Sequence, residues 1–247
     1  MRTSGFSVGL LLLAALAFAI PAPAQQKPPQ EMLMVMQLQV RPGMGLEWEN
    51  YLKKDLLPAM KKAGMKQITT ARTNELGVTD SYAFWWPIAS LAELDGPGSM
   101  QKALGPEGVP VLLANVQRCV AGGRTFLLAS QPEIRIAAKP GYVYKAALMV
   151  RQTVAPGRDA EYMKSAREAI GVLSKTSAKA VYVNRVGPGG NPNEFHWFIA
   201  LDSFADLEQF GQAFGKAAQE AKLAPLAGIV TSAEMEFYSI LPELSIE

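Results

Sequence analysis

The stretch VRPGMGLEW (residues 40–48) decides how this chain is organised, because it returns 114 residues later as VAPGRDAEY (residues 154–162). In both copies an apolar, strand-like run precedes the Pro-Gly pair, and a helix-like run carrying Glu and then a large aromatic residue follows it. Proline restricts φ and glycine permits a tight turn, so the pair marks a switch from strand to helix. The repetition predicts that the chain is a duplication of one structural unit.

The first unit, residues 31–134, is predicted to have the element order β-α-β-β-α-β. Residues 32–40 alternate with period two, as in a strand with one apolar and one mixed face. After the switch, apolar residues recur at spacings of three and four up to Gly64, which predicts an amphipathic helix with a kink or restart at Pro58. The remaining predicted elements are a hairpin of residues 67–74 and 81–88, a helix opened by a capping box at 90–93, a second helical run at 109–120 and a strand at 124–130.

The second unit, residues 141–247, is predicted to repeat this order. Its predicted strands are residues 142–154, 178–186, 194–201 and 234–241, with one helix ending near Ser174 and another running from a capping box at 203–206 to about Leu226. The glycine-rich residues 187–192 are predicted to be a hairpin turn, because no lysine or helix follows them as a phosphate-binding loop requires. Residues 135–140 are the candidate linker between the units.

The N-terminal residues predict export. Arg2 is followed by an uncharged apolar run over residues 8–20 and by small residues up to Ala24 at the spacing that a signal peptidase recognises. The apolar run is shorter than the roughly 20 residues that span a bilayer, so residues 1–24 are predicted to be a cleaved signal peptide. Residues 25–30 are polar and proline-rich, which predicts a flexible tether. The expected destination is the periplasm or the extracellular medium.

The composition argues against several classes of function. The formal net charge is +2 with no run of like charge, so neither nucleic acid nor, after signal cleavage, a membrane surface is an expected partner. Cys119 is the only cysteine, which leaves no internal disulfide. With His196 as the only histidine, a His-rich zinc site or a Cys–His catalytic pair has too few ligands. No metal or other cofactor is expected.

Two β-α-β-β-α-β units in series, each with a Val-x-Pro-Gly-x-x-x-Glu-aromatic switch, resemble the dimeric α+β barrel superfamily of ferredoxin-like domains over residues 31–247. Within it the chain is most similar to the antibiotic-biosynthesis-monooxygenase-like and NIPSNAP-like groups. The resemblance implies an α+β fold in which two ferredoxin-like repeats form an intrachain pseudo-dimeric barrel with the helices outside. Val35, Trp85, Met149 and Phe198 are then expected to be covered by the partner sheet.

The resemblance also implies candidate chemistry. Cofactor-free oxygenases of this kind hold polycyclic aromatic substrates with tryptophan, asparagine and arginine, and relatives with haem ligate it by histidine. Such a ligand would need His196 on a helix or a loop. His196 is predicted on a strand, so haem is not expected. The chain has these residue types at Trp48, Trp85, Trp86, Trp197, Asn74, Asn184, Arg72 and Arg185. Most of the aromatics, Phe84 and Trp86 included, are interpreted as core residues.

Four residues form the candidate ligand site. His196 is a possible general base, because imidazole titrates near neutral pH, or a buried, hydrogen-bonded structural residue. Gln37 and Arg151 occupy equivalent positions on the mixed faces of the first strands, where a buried arginine requires an acceptor and a structural network is the alternative. Trp85 is interpreted either as a ligand-binding residue or as a core residue.

Three functions remain open from the sequence. The first hypothesis is an exported, non-catalytic protein that binds a small apolar ligand between sheet and helices, as a monomer or a homodimer. The second is a cofactor-independent monooxygenase or isomerase acting on an aromatic or polyketide-like substrate. The third is a protein-interaction module. A pocket lined by His196 together with an arginine or asparagine favours the enzyme, whereas a pocket lined by methionine and aromatic residues favours binding.

Overall fold

The structure, a computed structural model, describes residues 31–73 and 76–246. The predicted signal peptide, the tether and Asn74 lie outside the described residues. No helix in the described ranges is both long and apolar enough to cross a membrane.

Within the described residues, eight strands and five α-helices follow one another in two similar series. The strands are β1 (Met32–Val40), β2 (Thr69–Thr73), β3 (Ser81–Ile88), β4 (Val120–Ile136), β5 (Ala146–Val154), β6 (Ala180–Val186), β7 (Glu194–Leu201) and β8 (Val230–Ile240). The α-helices are α1 (Gly45–Tyr51), α2 (Leu57–Lys62), α3 (Ser99–Cys119), α4 (Asp159–Leu173) and α5 (Phe204–Glu220). A π-helical turn, Leu52–Leu56, joins α1 to α2, and short 3₁₀ turns span Leu91–Leu94 and Pro242–Leu244.

The strands form a closed antiparallel barrel in the order β1-β3-β2-β8-β5-β7-β6-β4. Each half of this ring is a four-stranded ferredoxin-like sheet, β4-β1-β3-β2 in the first repeat and β8-β5-β7-β6 in the second. The halves join where β2 pairs with β8 and where β4 pairs with β6. The predicted α+β fold, two repeats closing one barrel within the chain, is therefore confirmed.

The strand-to-helix switch has the same geometry in both repeats. Gly43 and Gly157 adopt φ values of +80° and +79°, the left-handed region that glycine enters without a Cβ clash. The strand before each switch changes register by one position, at Val40 and at Val154. The duplicated motif thus builds one turn twice and directs α1 and α4 back across their own sheets.

The barrel interior holds the residues that were expected to meet the partner sheet. Val35 packs with Phe126 and Trp85, while Met149 packs near Trp85 and Phe198. Fully burying a side chain of this size contributes about 1.5–3 kcal/mol. Separate apolar clusters lie between each sheet and its helices.

Several local predictions were wrong. β8 begins at Val230 rather than at 234, and α5 ends at Glu220 rather than near Leu226. The capping box at 90–93 opens only a 3₁₀ turn, because the chain reverses at Gly96 (φ +79°) and α3 begins at Ser99. The last strand of the first repeat is longer than predicted, and β4 ends at Ile136, two residues inside the predicted linker. β5 begins at Ala146 rather than at 142. The expected restart near Pro58 takes the form of the π-helical turn that precedes it.

Candidate functional site

A cavity of about 830 Å³ lies between the sheet of the second repeat and its helices α4 and α5. We call it the ligand cavity. Its aromatic and methionine lining comprises Tyr162, Trp197, Phe210, Phe214, Met235 and Phe237. The helices leave room for it because they present small residues at Ala166, Ala169 and Gly211. Its volume lies within the roughly 300–1,000 Å³ of small-molecule sites.

One hydrogen-bonded trio gives the ligand cavity its polar contact. The Tyr162 hydroxyl, on the first turn of α4, donates to Gln152 Oε1 on β5 at 2.7 Å. It accepts a hydrogen bond from Trp197 Nε1, on β7, at 2.7 Å. Burial raises the pKa of Tyr162 above its ordinary value, so the phenol stays protonated at neutral pH. Within this trio the NH₂ group of Gln152 is not used, and it is the group that can donate to a ligand oxygen.

The rim of the ligand cavity includes a residue of the first repeat. Leu76, in the β2–β3 connection, lines the cavity and is 49% exposed, and its carbonyl accepts from the Phe237 N–H at 2.8 Å. Met235, on β8, also lines the cavity and is 68% exposed. Two exposed apolar side chains at one rim are consistent with an entrance that an apolar molecule crosses.

The four residues of the predicted ligand site lie together, but inside the barrel and not in the ligand cavity. Trp85 is edge-on to Phe198 at 6.3 Å and to Tyr238 at 5.9 Å. His196 is 2% exposed, and its Nε2 lies 2.5 Å from Glu194 Oε1. Successive residues of a strand point to opposite faces of the sheet. Trp197 lines the ligand cavity, so its neighbour His196 points to the other face, into the barrel.

The electrostatics of His196 are those of a neutral, buried imidazole. Burial lowers the pKa of His196, and the hydrogen bond from His196 lowers the pKa of Glu194. A neutral ring that donates from Nε2 to an ionised Glu194 accounts for both directions. The ring is also edge-on to Phe126 at 5.5 Å. This arrangement satisfies the histidine without a substrate.

Arg151 has two of the acidic partners that its predicted burial requires. Its Nη2 forms ion pairs with Glu234 at 3.0 Å and with Glu236 at 3.1 Å, whereas its Nε is buried without a hydrogen-bond partner among the described residues. Glu236 also accepts from the Tyr238 hydroxyl at 2.9 Å. Gln37, the equivalent residue of the first repeat, accepts from Arg124 Nε at 2.8 Å. The polar residue of each first strand is therefore paired within its own repeat, inside the barrel.

No family model and no curated protein sequence matches the chain. Several solved structures do match its fold. An anthrone oxidase-like protein has a TM-score of 0.58 at 11% identity, over 87% of this chain and 92% of that one. A provisionally assigned monooxygenase from Lactobacillus acidophilus has a TM-score of 0.56 at 9% identity, over 85% and 94%. A double variant of chlorite dismutase from Candidatus Nitrospira defluvii has a TM-score of 0.57 at 8% identity, over 86% and 92%. The chain therefore shares the α+β barrel fold of these structures.

No histidine lines the ligand cavity, so none of its lining residues could ligate a haem iron in this way. His196 lies on β7 as predicted and faces the barrel interior, where Glu194 and Phe126 surround it. In the described ranges, no cluster of three or more His, Cys, Asp or Glu residues has a metal-binding arrangement. The residues of this cavity therefore do not fit histidine-ligated haem.

Sequence reasoning missed Gln152 and Tyr162 as cavity residues and treated Trp197 only as one aromatic among several. Tyr162 was already visible as the aromatic residue of the second switch, at the position of Trp48 in the first. A position-by-position comparison of the two repeats would have shown that Leu38 is replaced by Gln152 as well. Of the other suggested residues, Arg72 pairs with Glu49 and Arg185 pairs with Asp159.

Proposed function

We propose that this chain is an exported protein that binds a small, largely apolar, partly aromatic molecule in the ligand cavity of its second repeat. The observation that carries this proposal is the cavity itself, about 830 Å³ of space between sheet and helices where the first repeat has packed side chains. Apolar walls favour an apolar ligand by about 25 cal/mol for each Å² removed from water. The aromatic lining favours a ring system that stacks edge-on or offset.

The polar trio adds one specific contact to this apolar site. A ligand with a carbonyl or hydroxyl oxygen near Gln152 would receive a hydrogen bond from its NH₂ group, while Trp197 and Tyr162 hold the amide in position. A neutral hydrogen bond of this kind contributes about 0.5–1.5 kcal/mol and chiefly sets the orientation of the ligand. The ligand class is therefore a planar apolar molecule with an oxygen function at one edge.

Binding is tested with 1,8-dihydroxyanthraquinone, a planar probe of this class, followed by quenching of tryptophan fluorescence. In Ala169→Phe, a ring enters the cavity from α4, and we expect the affinity to fall at least about tenfold, or 1.4 kcal/mol. The matched control is Ala160→Phe on the exposed face of the same helix, outside the cavity lining. Equal affinities for both variants would refute binding in this cavity. Mass spectrometry of small molecules that co-purify with the full chain then identifies the natural ligand.

A cofactor-independent oxygenase is the second candidate, and the names of the anthrone oxidase-like and monooxygenase neighbours favour it. In the ligand cavity, however, the Tyr162 phenol is held protonated and hydrogen-bonded, so it is not a base that would deprotonate a substrate. We therefore expect no oxygen consumption with anthrone above the rate without protein. Consumption that Tyr162→Phe abolishes would favour the oxygenase over the binding protein.

Export is supported by the apolar run at residues 8–20 and by the small residues that end at Ala24. Intact-mass measurement of the protein from a secreting host should give a chain that begins at Gln25. A chain that retains Met1 would contradict export by this route.

A further inference from the structure

The mouth of the barrel is a second cavity, of about 480 Å³, on the opposite face of the strands that line the ligand cavity. We call it the barrel mouth. Its charged and amide side chains are Gln37, Gln39, Arg124, Arg151, Glu194, Glu234 and Glu236. At about 30 Å³ for each water molecule, the space corresponds to roughly 16 waters, which is enough for an amino acid.

Arg124 presents a positive charge to the barrel mouth. Its Nε donates to Gln37 Oε1 at 2.8 Å, and its guanidinium carbon lies 4.8 Å from the centre of the Phe126 ring. These two contacts orient the guanidinium and leave its two NH₂ groups unused by either partner. Arg124 is not a member of any ion pair within 4 Å among the described residues. A planar edge with two parallel donors matches a carboxylate.

The barrel mouth carries more negative than positive charge, because three glutamates and two arginines line it. Arg151 is shared between Glu234 and Glu236, so one positive charge faces two carboxylates. Glu194 bonds to His196, whose burial lowers its pKa and keeps the ring neutral. Arg124 and Arg151 lower the pKa of Glu194 through space, but neither forms an ion pair with it within 4 Å among the described residues. The barrel mouth thus combines one arginine without a close acidic partner and two carboxylates that no cation of their own contacts.

These charges are separated by the architecture of the barrel. Arg124 pairs in register with Gln37, and Glu234 pairs in register with Arg151, so the two residues occupy equivalent positions in the two repeats. Their strands, β4 and β8, lie four places apart in the ring of eight, which puts them on opposite walls. The result is a site with a cationic wall and an anionic wall.

We propose that the barrel mouth binds a small α-amino acid with a basic side chain. Its carboxylate pairs with the free edge of Arg124, and its two ammonium groups lie against Glu194 and Glu234. A ligand with one negative and two positive charges supplies an opposite charge to Arg124, Glu194 and Glu234, none of which has a full ion-pair partner of its own. This site does not depend on a ligand in the other cavity.

The charge pattern is tested by isothermal titration calorimetry of the full chain with three probes at millimolar concentration. L-Lysine carries all three charges, L-glutamine lacks the second ammonium, and propionate has the carboxylate alone. We expect L-lysine to bind tightest, L-glutamine more weakly and propionate weakest. Binding of propionate as tight as that of L-lysine would overturn the proposal in favour of a simple anion site, and the absence of heat with L-lysine would overturn it altogether.

Variants locate the site. Arg124→Gln removes the carboxylate contact and should weaken L-lysine binding at least about tenfold, and the exposed Glu234→Gln should weaken it while L-glutamine binding changes less. The matched control Arg118→Gln removes an arginine that pairs with Glu47 outside the barrel mouth, and it should leave binding unchanged. Ala169→Phe should also have no effect, because it fills the other cavity. Loss of binding in Arg118→Gln equal to that in Arg124→Gln would contradict the assignment.

Discussion

The two repeats share one fold and differ in what fills the space between sheet and helix. In the first, Trp48 is fully buried, edge-on to its aromatic neighbours, and the fully buried Leu52 packs on the same face. In the second, the equivalent positions hold Tyr162 and Ala166, and a cavity of about 830 Å³ opens beside them. A packed interface and a cavity thus occupy equivalent places in the two repeats, and the size of a few side chains is one of the differences between them.

The same comparison explains the polar trio. Gln152 stands at the position of Leu38, and Trp197 stands at that of Phe84. The Trp48 indole N–H is buried without a hydrogen-bond partner among the described residues, whereas the second repeat pairs every member of its trio. At this position the first interface relies on packing, and its hydrogen bonds, such as Tyr82 to Glu49, lie elsewhere. The second interface places hydrogen bonds beside open space.

The largest expected effect is that of Trp48→Ala. Removing a large aromatic side chain from a packed core costs about 3–5 kcal/mol of unfolding free energy. The matched variant Tyr162→Ala should cost less, because its side chain borders space that already exists. Urea denaturation of the full chain measures both. Equal losses would mean that the second interface is packed as tightly as the first.

An intermediate effect is expected for Tyr162→Phe. The lost hydroxyl leaves Trp197 Nε1 and Gln152 Oε1 without their partner, at a cost of about 1–3 kcal/mol. Adding Gln152→Leu, which copies Leu38, should recover part of this loss because one unsatisfied group disappears. A double-mutant cycle in urea measures the coupling. Strict additivity of the two changes would contradict the hydrogen-bonded trio.

The smallest expected effect concerns pH. Because burial lowers the folded-state pKa of His196 below its ordinary 6.5, the unfolded chain takes up this proton first, and stability falls as the pH drops below 6.5. Glu194, whose pKa is lowered from 4.5, adds a loss only at lower pH. His196→Ala, which copies Ala83 of the first repeat, should flatten the dependence between pH 6.5 and 5. One proton accounts for at most about 1.4 kcal/mol per pH unit. An unchanged slope in urea titrations would exclude His196 as the titrating group.

Much of the fold could be predicted because its signals are local. The alternation of residues 32–40 and the duplicated switch specify strand, turn and helix from neighbouring side chains alone, and β1, β3 and β7 have the predicted bounds within one residue. The boundary of β4 could not be predicted, because the glycines at its start are held by pairing with β1 along most of its length. That pairing is a tertiary contact that propensity does not report.

The site was harder to predict because a cavity is a property of missing volume. Arg151, His196, Gln37 and Trp85 were noticed for their own chemistry, and the closed barrel brings all four inside it. The ligand cavity depends on the small side chains of Ala166 and Ala169, which carry no chemical signal in one sequence. Only the comparison of the repeats makes their small size informative.

The closure of the barrel within a single chain has a consequence for what substitutions can achieve. A barrel made of two identical subunits carries each residue twice, so a cation on one wall faces the same cation on the other. Here Arg124 faces Glu234 at the equivalent position, and Gln37 faces Arg151. When the two copies are joined in one chain, a single substitution changes one wall only. The barrel mouth can therefore acquire an electric dipole directed from one wall to the other, which exact two-fold symmetry about the barrel axis forbids.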